Sequence, residues 1–286
     1  MQKTVLITGA TSGIGLAGAE ALARRGWRVL VHGRSDPRVA QALEKLKARV
    51  PTGAFEGVSA DLGSLSSVAG LAEQVKARTT SLDALWNNAG AVASARATTA
   101  DGLELQMQVN YLAPYALSLL LLPLLRAAPQ GRIVITSSMA HLFAPRRITD
   151  WLLTEPGRYR PMAVYGQSKL ATILFTQELA RRLSNGTVTV NAYHPGFVRS
   201  EFGVSRDGGK GASSFSFAHF LAITPEKGAD TGVYLVDDPA ASRSTGRYWA
   251  KRRTRNPSRQ ATPQAAARLW EESESAVKKV LGALPV

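Results

Sequence analysis

The sequence of 286 residues has no cysteine and only four histidines. The absence of cysteine excludes disulfide bonds and thiolate metal ligands. No two histidines stand at the spacing of a metal-binding motif, so we expect neither a structural nor a catalytic metal site. No cationic segment followed by a long apolar stretch precedes the first predicted strand, so we expect no secretory signal and a cytoplasmic location.

Long apolar runs are also scarce. The strongest candidate, Tyr111–Leu125, has no charged residue, but it contains Pro114 and Pro123. Its strictly apolar part falls short of the ~20 residues that a bilayer requires. We therefore predict a buried core helix here and no membrane insertion.

Acidic residues are few relative to basic ones, since 35 Lys and Arg against 21 Asp and Glu give a formal charge of +14. Much of the excess lies in residues 243–259, which contain no acid. This segment accompanies no nucleic-acid-binding motif and has few aromatic residues. A solvated surface segment is therefore favoured over a nucleic-acid arm, and we expect no nucleic-acid partner. The positive potential still favours an anionic cofactor.

Short apolar segments alternate with helix-length amphipathic segments along the chain. This alternation predicts an α/β protein: a single-domain Rossmann-type doubly wound parallel sheet with helices on both faces, binding ligands at the carboxyl ends of its strands. We interpret residues 1–286 as one dinucleotide-binding and catalytic domain. It has substrate loops at about 139–161 and 197–222 and a C-terminal helical extension at about 251–286. Strands are predicted near residues 4–8, 28–32, 54–58, 82–86, 132–136, 187–193 and 248–250, and helices near 14–25, 39–50, 65–75, 101–126, 162–183, 225–236 and 263–280.

The first predicted strand runs into a glycine-rich turn, Thr8-Gly9-Ala10-Thr11-Ser12-Gly13-Ile14-Gly15. Glycines at these positions permit a tight turn and close approach of the backbone to a pyrophosphate. The N–H groups that begin the next helix attract phosphate. A glycine-rich turn alone could be purely structural, but its strand–turn–helix context predicts dinucleotide binding.

The end of the second predicted strand bears on the choice of cofactor. An acid there binds the ribose 2′-hydroxyl of NAD, whereas an arginine accommodates the 2′-phosphate of NADP. The sequence reads His32-Gly33-Arg34-Ser35, with no acid at the strand end. We therefore predict NADP(H), bound by Arg34 with help from Ser35, the alternative being that Arg34 is only a solvent-exposed residue.

A proton-transfer pair is predicted on a later helix. Tyr165 and Lys169 are four residues apart and are therefore neighbours on one helical face. A free tyrosine has a pKa near ~10, which a nearby ammonium group or an oxidised nicotinamide would lower. We expect Tyr165 to act as a general acid/base, although the Tyr-x-x-x-Lys spacing also occurs by chance. Asn110 lies within a predicted helix, where its amide either holds backbone or water or is simply exposed.

These motifs occur together in a recognisable order. Thr8–Gly15, Asn87–Gly90, Ser138, Tyr165-x-x-x-Lys169 and Pro195-Gly196 resemble the short-chain dehydrogenase/reductase family. The likeness covers about residues 3–250. A closer resemblance is to the retinol dehydrogenase-like branch of that family, and it lies in Ser137–His141, Tyr165–Ala171, His194–Ser200 and Arg268–Trp270.

The resemblance implies a catalytic role for four residues. Tyr165 would exchange a proton with the carbonyl oxygen, and Ser138 would hold that oxygen. Lys169 would bind the nicotinamide ribose, and Asn110 would position a water in the proton relay.

The resemblance also implies a set of residues around the cofactor. Asp61 matches the position that contacts the adenine amino group, and Ser200 the position beside the nicotinamide carboxamide. The cofactor-binding residues that we predict are Gly9, Thr11, Ser12, Gly13, Ile14, Gly15, Arg34, Ser35, Asp61, Leu62, Asn88, Ala89, Gly90, Tyr165, Lys169, Pro195, Gly196, Val198 and Ser200.

The predicted function is that of an NADP(H)-dependent oxidoreductase, which interconverts a ketone or aldehyde and an alcohol by hydride transfer. Aromatic residues in the two predicted loops suggest an apolar small-molecule substrate. One alternative is an epimerase or dehydratase of the same superfamily, and another is a binding protein that senses the dinucleotide. The sequence is compatible with a homodimer or homotetramer.

Overall fold

The computed structural model describes residues 2–153, 158–198, 223–282 and 284. The strands are β1 (Thr4–Ile7), β2 (Arg28–Gly33), β3 (Ala54–Ser59), β4 (Ala84–Asn87), β5 (Arg132–Thr136), β6 (Thr189–Tyr193), β7 (Arg247–Ala250) and β8 (Arg253–Arg255). They form one sheet in the order β3-β2-β1-β4-β5-β6-β7-β8. All neighbouring strands are parallel except β7 and β8. The predicted parallel sheet is confirmed, with an antiparallel strand added at one edge.

Helices cover both faces of the sheet. They are α1 (Gly13–Ala23), α2 (Asp36–Arg49), α3 (Leu65–Lys76), α4 (Leu105–Met107), α5 (Ala113–Leu120), α6 (Leu122–Ala127), α7 (Pro161–Arg182), α8 (Pro225–Asp237) and α9 (Pro263–Leu281). Helices α1, α2 and α8 enclose one apolar core against the sheet, and α3, α5, α7 and α9 enclose the other. Because both faces are covered, central strands such as β1 and β5 are buried along their whole length.

Trp86, in the middle of the sheet, shows why small residues lie on α1 and α8. A Cβ atom at Gly18 of α1 would lie 2.4 Å from the Trp86 ring, and one at Gly232 of α8 would lie 2.1 Å from it. The indole N–H donates to Thr136 Oγ1 at 3.0 Å. These contacts fix the carboxyl ends of β4 and β5, after which the predicted catalytic residues follow.

The long helix predicted over residues 101–126 is divided into shorter pieces. Helical structure begins only at Leu105, and the carboxylate of Asp101 accepts the Leu65 N–H at 2.7 Å. A π-helical turn spans Gln108–Leu112. The periodicity of apolar residues continues through this turn, so the pattern alone did not reveal it.

A second interruption lies within the uncharged run. The helix breaks at Leu121, and α6 carries Pro123 in its first turn, where a residue without an N–H is tolerated. The run Tyr111–Leu125 is largely buried, as predicted. Among the residues that the structure describes, no helix is long and apolar enough to cross a membrane.

Strand β8 corrects the prediction that residues 251–286 form a helical extension. Lys251 and Arg252 make a two-residue turn after β7, with positive φ angles of 49° and 56°, which suits a tight hairpin. The three residues of β8 that follow are all exposed and therefore show no apolar alternation. The C-terminal part of the chain thus begins with an edge strand, and its helix is α9.

Candidate active site

The glycine-rich turn connects β1 to α1 tightly, as predicted. Gly9 and Gly13 have positive φ angles of 64° and 54°, and a Cβ atom at Gly15 would lie 2.4 Å from the Gly9 carbonyl oxygen. The Ser12 side chain makes no capping hydrogen bond to α1, so the N–H groups of the first turn can bind a ligand. The turn therefore fits a pyrophosphate group, and the individual contacts of Thr11, Ser12, Ile14 and Gly15 stay predictions.

Residues after β4 lie directly against this turn. Thr8 Oγ1 accepts the N–H groups of Asn88 at 2.9 Å and Ala89 at 3.0 Å. The Asn88 amide donates to the Thr8 carbonyl at 3.0 Å, and a Cβ atom at Gly9 would lie 2.9 Å from the Ala89 Cα. The predicted group Asn88, Ala89 and Gly90 is thus held at the same edge of the sheet as the glycine-rich turn.

His32 supports the turn from β2. Its Nδ1 accepts the Gly9 N–H at 3.2 Å, and its Nε2 lies 3.2 Å from the Ala60 carbonyl oxygen, to which it donates. Burial lowers the pKa of His32 to about 4, so the ring is neutral at physiological pH. Neither Thr8 nor His32 was predicted as a site residue. Their positions at the carboxyl ends of neighbouring strands are the signal that could have identified them.

Arg34 and Asp61, predicted to contact different parts of the adenosine, form an ion pair. Arg34 Nε and Nη2 donate to Asp61 Oδ2 at 3.1 and 2.9 Å. The two side chains are 69% and 45% exposed, so their interaction is weak and Arg34 can turn towards a ligand. Ser35 precedes α2 without capping it, and Leu62 is buried.

Gly33 occupies the strand-end position where an NAD-binding protein would carry an acid. A Cβ atom there would lie 2.5 Å from Thr11 Cγ2 and 2.8 Å from Val39 Cγ2. A side chain here would require Thr11 and Val39 to move, so packing favours glycine whichever cofactor binds.

Asn110 lies in the π-helical turn and is 2% exposed. Its Oδ1 accepts the Ala91 N–H at 2.6 Å, and its Nδ2 donates to the Ala91 carbonyl at 3.0 Å and to Ser168 Oγ at 2.9 Å. The alternative of an exposed residue is wrong, and the amide holds backbone as expected. The role in positioning a water stays a prediction.

The structure brings Ser138, Tyr165 and Lys169 together at the carboxyl end of β5. Ser138 follows β5 and hydrogen-bonds the Tyr165 side chain. Lys169 lies four residues after Tyr165 on α7. Its Nζ donates to the Thr136 carbonyl at 2.9 Å and lies 5.7 Å from the centre of the Tyr165 ring.

Burial controls the ionisation of this group. Desolvation raises the pKa of Tyr165 to about 12, and the hydrogen bond with Ser138 lowers it by less. Desolvation also lowers the pKa of Lys169 to about 8. The predicted lowering of the Tyr165 pKa is therefore wrong for the protein alone, because desolvation outweighs the hydrogen bond with Ser138. The phenol is protonated at neutral pH and can donate a proton.

The chain after β6 approaches the glycine-rich turn. Pro195 is followed by Gly196, which has a φ of 89° and donates its N–H to His194 Nδ1 at 3.0 Å. Val198 and Ile14 both lie against Gly228 of α8. A Cβ atom at Gly228 would be 2.6 Å from the Val198 side chain and 3.2 Å from the Ile14 side chain. Ser200 and most of the predicted loop 197–222 lie outside the described residues.

Exposed apolar side chains occur close along the chain to the predicted catalytic residues. Six large apolar side chains are strongly exposed in the part of the chain that the structure describes, and all but Val280 lie on segments that adjoin Ser138, Tyr165 or Gly196. These five are Met139, Leu142, Phe143, Met162 and Phe197, which are 43% to 64% exposed. Each of them lies within five residues, along the chain, of Ser138, Tyr165 or Gly196.

A doubly wound sheet with a glycine-rich turn and a Ser–Tyr–Lys group defines a dinucleotide-binding oxidoreductase. Residues 3–149 match the short chain dehydrogenase family. The chain is 37% identical to retinol dehydrogenase 13 of Mus musculus, over 95% of this chain and 82% of that protein. It therefore belongs to the short-chain dehydrogenase/reductase family and is retinol dehydrogenase-like, as the sequence motifs predict.

Two further proteins extend the comparison. The chain is 40% identical to DnrU of Streptomyces sp. (strain C5), assigned as a daunorubicin C-13 ketoreductase, over 96% of this chain and 92% of that one. A crystal structure from Beutenbergia cavernae, assigned as an NAD(P)-dependent gluconate 5-dehydrogenase, contains NADP at low occupancy. It shares 31% identity and a TM-score of 0.67, over 87% of this chain and 94% of that chain.

Proposed function

We propose that this protein is an NADP(H)-dependent oxidoreductase that interconverts a ketone or aldehyde and an alcohol on an apolar small molecule. Tyr165 is its general acid/base. The observation that carries the proposal is the convergence of Ser138, Tyr165 and Lys169 at the sheet edge that also bears the glycine-rich turn. Membership of an oxidoreductase family supports this chemistry.

The residues of the protein account for the proton transfer. Ser138 holds the carbonyl oxygen of the substrate beside Tyr165, which it already contacts. Tyr165, protonated at neutral pH, donates its proton to that oxygen during reduction and takes it back during oxidation. The Lys169 ammonium group stabilises the phenolate. The nicotinamide, when bound, supplies or accepts the hydride.

The preference for NADP(H) is supported by charge and by the accessibility of Arg34. Its guanidinium is 69% exposed and is held by an ion pair whose contribution is small, so it can bind a 2′-phosphate instead. The net charge of +14 favours the more anionic cofactor. The NADP in the related B. cavernae structure points in the same direction.

An apolar substrate is supported by the five exposed apolar side chains that lie close along the chain to the predicted site, namely Met139, Leu142, Phe143, Met162 and Phe197. Burying such exposed side chains against a ligand is favourable. The names of two relatives refer to retinol and to the C-13 ketone of daunorubicin. A cytoplasmic location and a homodimer or homotetramer stay predictions.

The function is tested by following NADPH absorbance with a panel of apolar and polar aldehydes and ketones, and with the matching alcohols and NADP⁺. We expect turnover of apolar carbonyl compounds, faster with NADPH than with NADH at equal subsaturating concentration. Absence of turnover across the panel with either cofactor would contradict the proposal.

A further inference from the structure

His141 lies in the 3₁₀ turn Met139–Phe143, which begins directly after Ser138. The residue is 2% exposed, and both of its ring nitrogens are paired. Nδ1 lies 2.7 Å from the Ser138 carbonyl oxygen, and Nε2 lies 3.1 Å from the Ser258 backbone nitrogen. A carbonyl can only accept and an N–H can only donate. Nδ1 therefore carries the proton and Nε2 accepts, which defines the neutral Nδ1–H tautomer.

We propose that His141 is a positioning residue for Ser138, because its ring links the Ser138 main chain to the C-terminal segment at Ser258. The proposal rests on the proposed function, in which Ser138 holds the carbonyl oxygen of the substrate. It assigns His141 no contact with the substrate or the cofactor.

The turn around His141 determines where Ser138 lies relative to Tyr165. Ser138 Oγ accepts the Ala140 N–H at 3.1 Å, and the Ser138 carbonyl also accepts the His141 N–H at 3.2 Å. A Cβ atom at Gly166, the residue after Tyr165, would lie 2.6 Å from the Ala140 carbonyl oxygen. The turn therefore packs directly on α7, and a shift of His141 would move Ser138 against Tyr165.

The same C-terminal segment also contacts two later points of the connection that follows Ser138. Gln260 Nε2 donates to the Pro145 carbonyl at 2.6 Å. Glu272 Oε2 accepts the Trp151 N–H at 3.2 Å. Of the three contacts, at His141, Pro145 and Trp151, the one between Ser258 and His141 is nearest along the chain to Ser138.

The packing of the His141 ring does not depend on its two nitrogen atoms. The His141 ring lies edge-on to Tyr248, with 5.1 Å between the ring centres, and a phenylalanine could make that contact. His141→Phe therefore retains most of the packing and removes both hydrogen bonds. Asparagine can place an N–H where Nδ1–H lies, whereas glutamine can reach only the Ser258 N–H.

The experiment compares kcat, KM and cofactor Kd for the three variants with the wild type. His141→Phe should lower kcat roughly tenfold, since small displacements of catalytic groups cost rate steeply, while cofactor Kd changes little. His141→Asn, which keeps the bond to Ser138 but loses the anchor at Ser258, should recover only part of kcat, and His141→Gln should recover less. If His141→Phe does not fold, the comparison between Asn and Gln decides the question.

A double-mutant cycle separates positioning from a general structural effect. In a Ser138→Ala background, His141→Phe should change kcat by less than about twofold, because the residue that it positions is gone. Unchanged kcat in the single His141→Phe variant would overturn the proposal. The same tenfold loss in the Ser138→Ala background would also overturn it.

A spectroscopic measurement keeps this proposal distinct from the proposed function. The ¹⁵N chemical shifts of the His141 ring at neutral pH should identify the Nδ1–H tautomer, and an Nε2–H tautomer would overturn the link to Ser138. A wild-type protein without carbonyl turnover would contradict the proposed function. It would then also contradict a catalytic role for the contact of His141 with Ser138. An active wild type with unaffected variants would overturn the role of His141 alone.

Discussion

At the scale of single residues, two buried histidines support the site: His32 contacts the glycine-rich turn, and His141 contacts Ser138. His32 accepts from Gly9 through Nδ1, whereas His141 donates to Ser138 through the same atom. Burial lowers the pKa of both rings. Protonation of either ring would place an N–H against a backbone N–H, so each contact depends on the neutral form.

His32 should make stability depend on pH. Its pKa is about 4 in the folded protein and 6.5 as the unperturbed value. Between these values the unfolded chain binds a proton that the folded protein does not. The free energy of unfolding should therefore fall as pH drops from 6.5 to 4, by on the order of 3 kcal/mol from this group. Urea unfolding at several pH values measures it.

His32→Asn is the matched control for this prediction, because its amide oxygen can still accept the Gly9 N–H but does not titrate. The buried His141 and the half-buried His194 contribute in the same direction, so the difference between the variant and the wild type isolates His32. Identical pH slopes for the two proteins would show that His32 does not contribute.

Arg34 should determine the cofactor preference. Arg34→Leu removes a charge-assisted hydrogen bond to the 2′-phosphate, which is worth about 1.5–3 kcal/mol, or roughly 10- to 160-fold in affinity. Calorimetric titration should show weaker binding of NADPH and nearly unchanged binding of NADH. Arg126→Leu, an exposed arginine at the end of α6, is the control. Equal loss of affinity for both cofactors would contradict the assignment.

Two features around Arg34 could not be predicted from the sequence. The motif indicated an arginine without an acid at the strand end, but Asp61, 27 residues later and just beyond β3, pairs with it. Gly33 was interpreted as the position where an acid would favour NAD. Only the structure shows that Thr11 and Val39 fill the space around it. Contacts between different strands determine both features, and local sequence does not report them.

At the scale of elements, the glycine-rich turn should tolerate no side chain at Gly15. A Cβ atom there meets the Gly9 carbonyl oxygen at 2.4 Å and Asn88 Nδ2 at 2.6 Å. Gly15→Ala should cost roughly 1–3 kcal/mol of unfolding free energy through overpacking and should weaken cofactor binding. Guanidinium unfolding and cofactor titration measure the two effects.

Gly70→Ala is the control, since nothing lies within 4 Å of a Cβ atom at this position on α3. Alanine is the better helix former, so this variant should gain about 0.5–1 kcal/mol and bind cofactor normally. If Gly15→Ala behaved like Gly70→Ala, the tight turn would not be needed for cofactor binding.

Elements with a continuous apolar face could be predicted to within a few residues. Helix α7 is such a case, predicted over 162–183 and observed at Pro161–Arg182. The helix predicted over 101–126 was wrong because the break before Pro123, which the sequence does signal, was not allowed for, and because the π-helical turn leaves the apolar periodicity unchanged. Strand β8 failed because an exposed strand of three residues has no periodicity to detect.

At the scale of the whole molecule, α9 closes the core on one face of the sheet. Trp270 is buried between Tyr115 and Phe175, with ring centres 5.1 and 6.2 Å away. The Arg182 guanidinium lies 4.1 Å from its ring centre. Trp270→Ala should lower the free energy of unfolding by roughly 3–5 kcal/mol. Denaturant unfolding measures it.

The adjacent residue supplies the control. Glu271 is exposed on α9, and Glu271→Ala should change stability by less than about 0.5 kcal/mol. A similar, small effect of both substitutions would show that α9 contributes little to the fold. The sequence predicted this helix but not its partners, because Tyr115, Phe175 and Trp270 are far apart along the chain.

The central claim is that Tyr165 transfers the proton, and Tyr165→Phe tests it most directly. The variant keeps the aromatic ring and loses the hydroxyl, so cofactor Kd should change little while kcat falls by about 10²–10⁴-fold. Tyr234→Phe on α8 should keep the wild-type rate. Steady-state turnover of a wild-type substrate, measured with a cofactor titration of each variant, gives the answer. A Tyr165→Phe variant with normal cofactor binding and near-wild-type kcat would contradict the account.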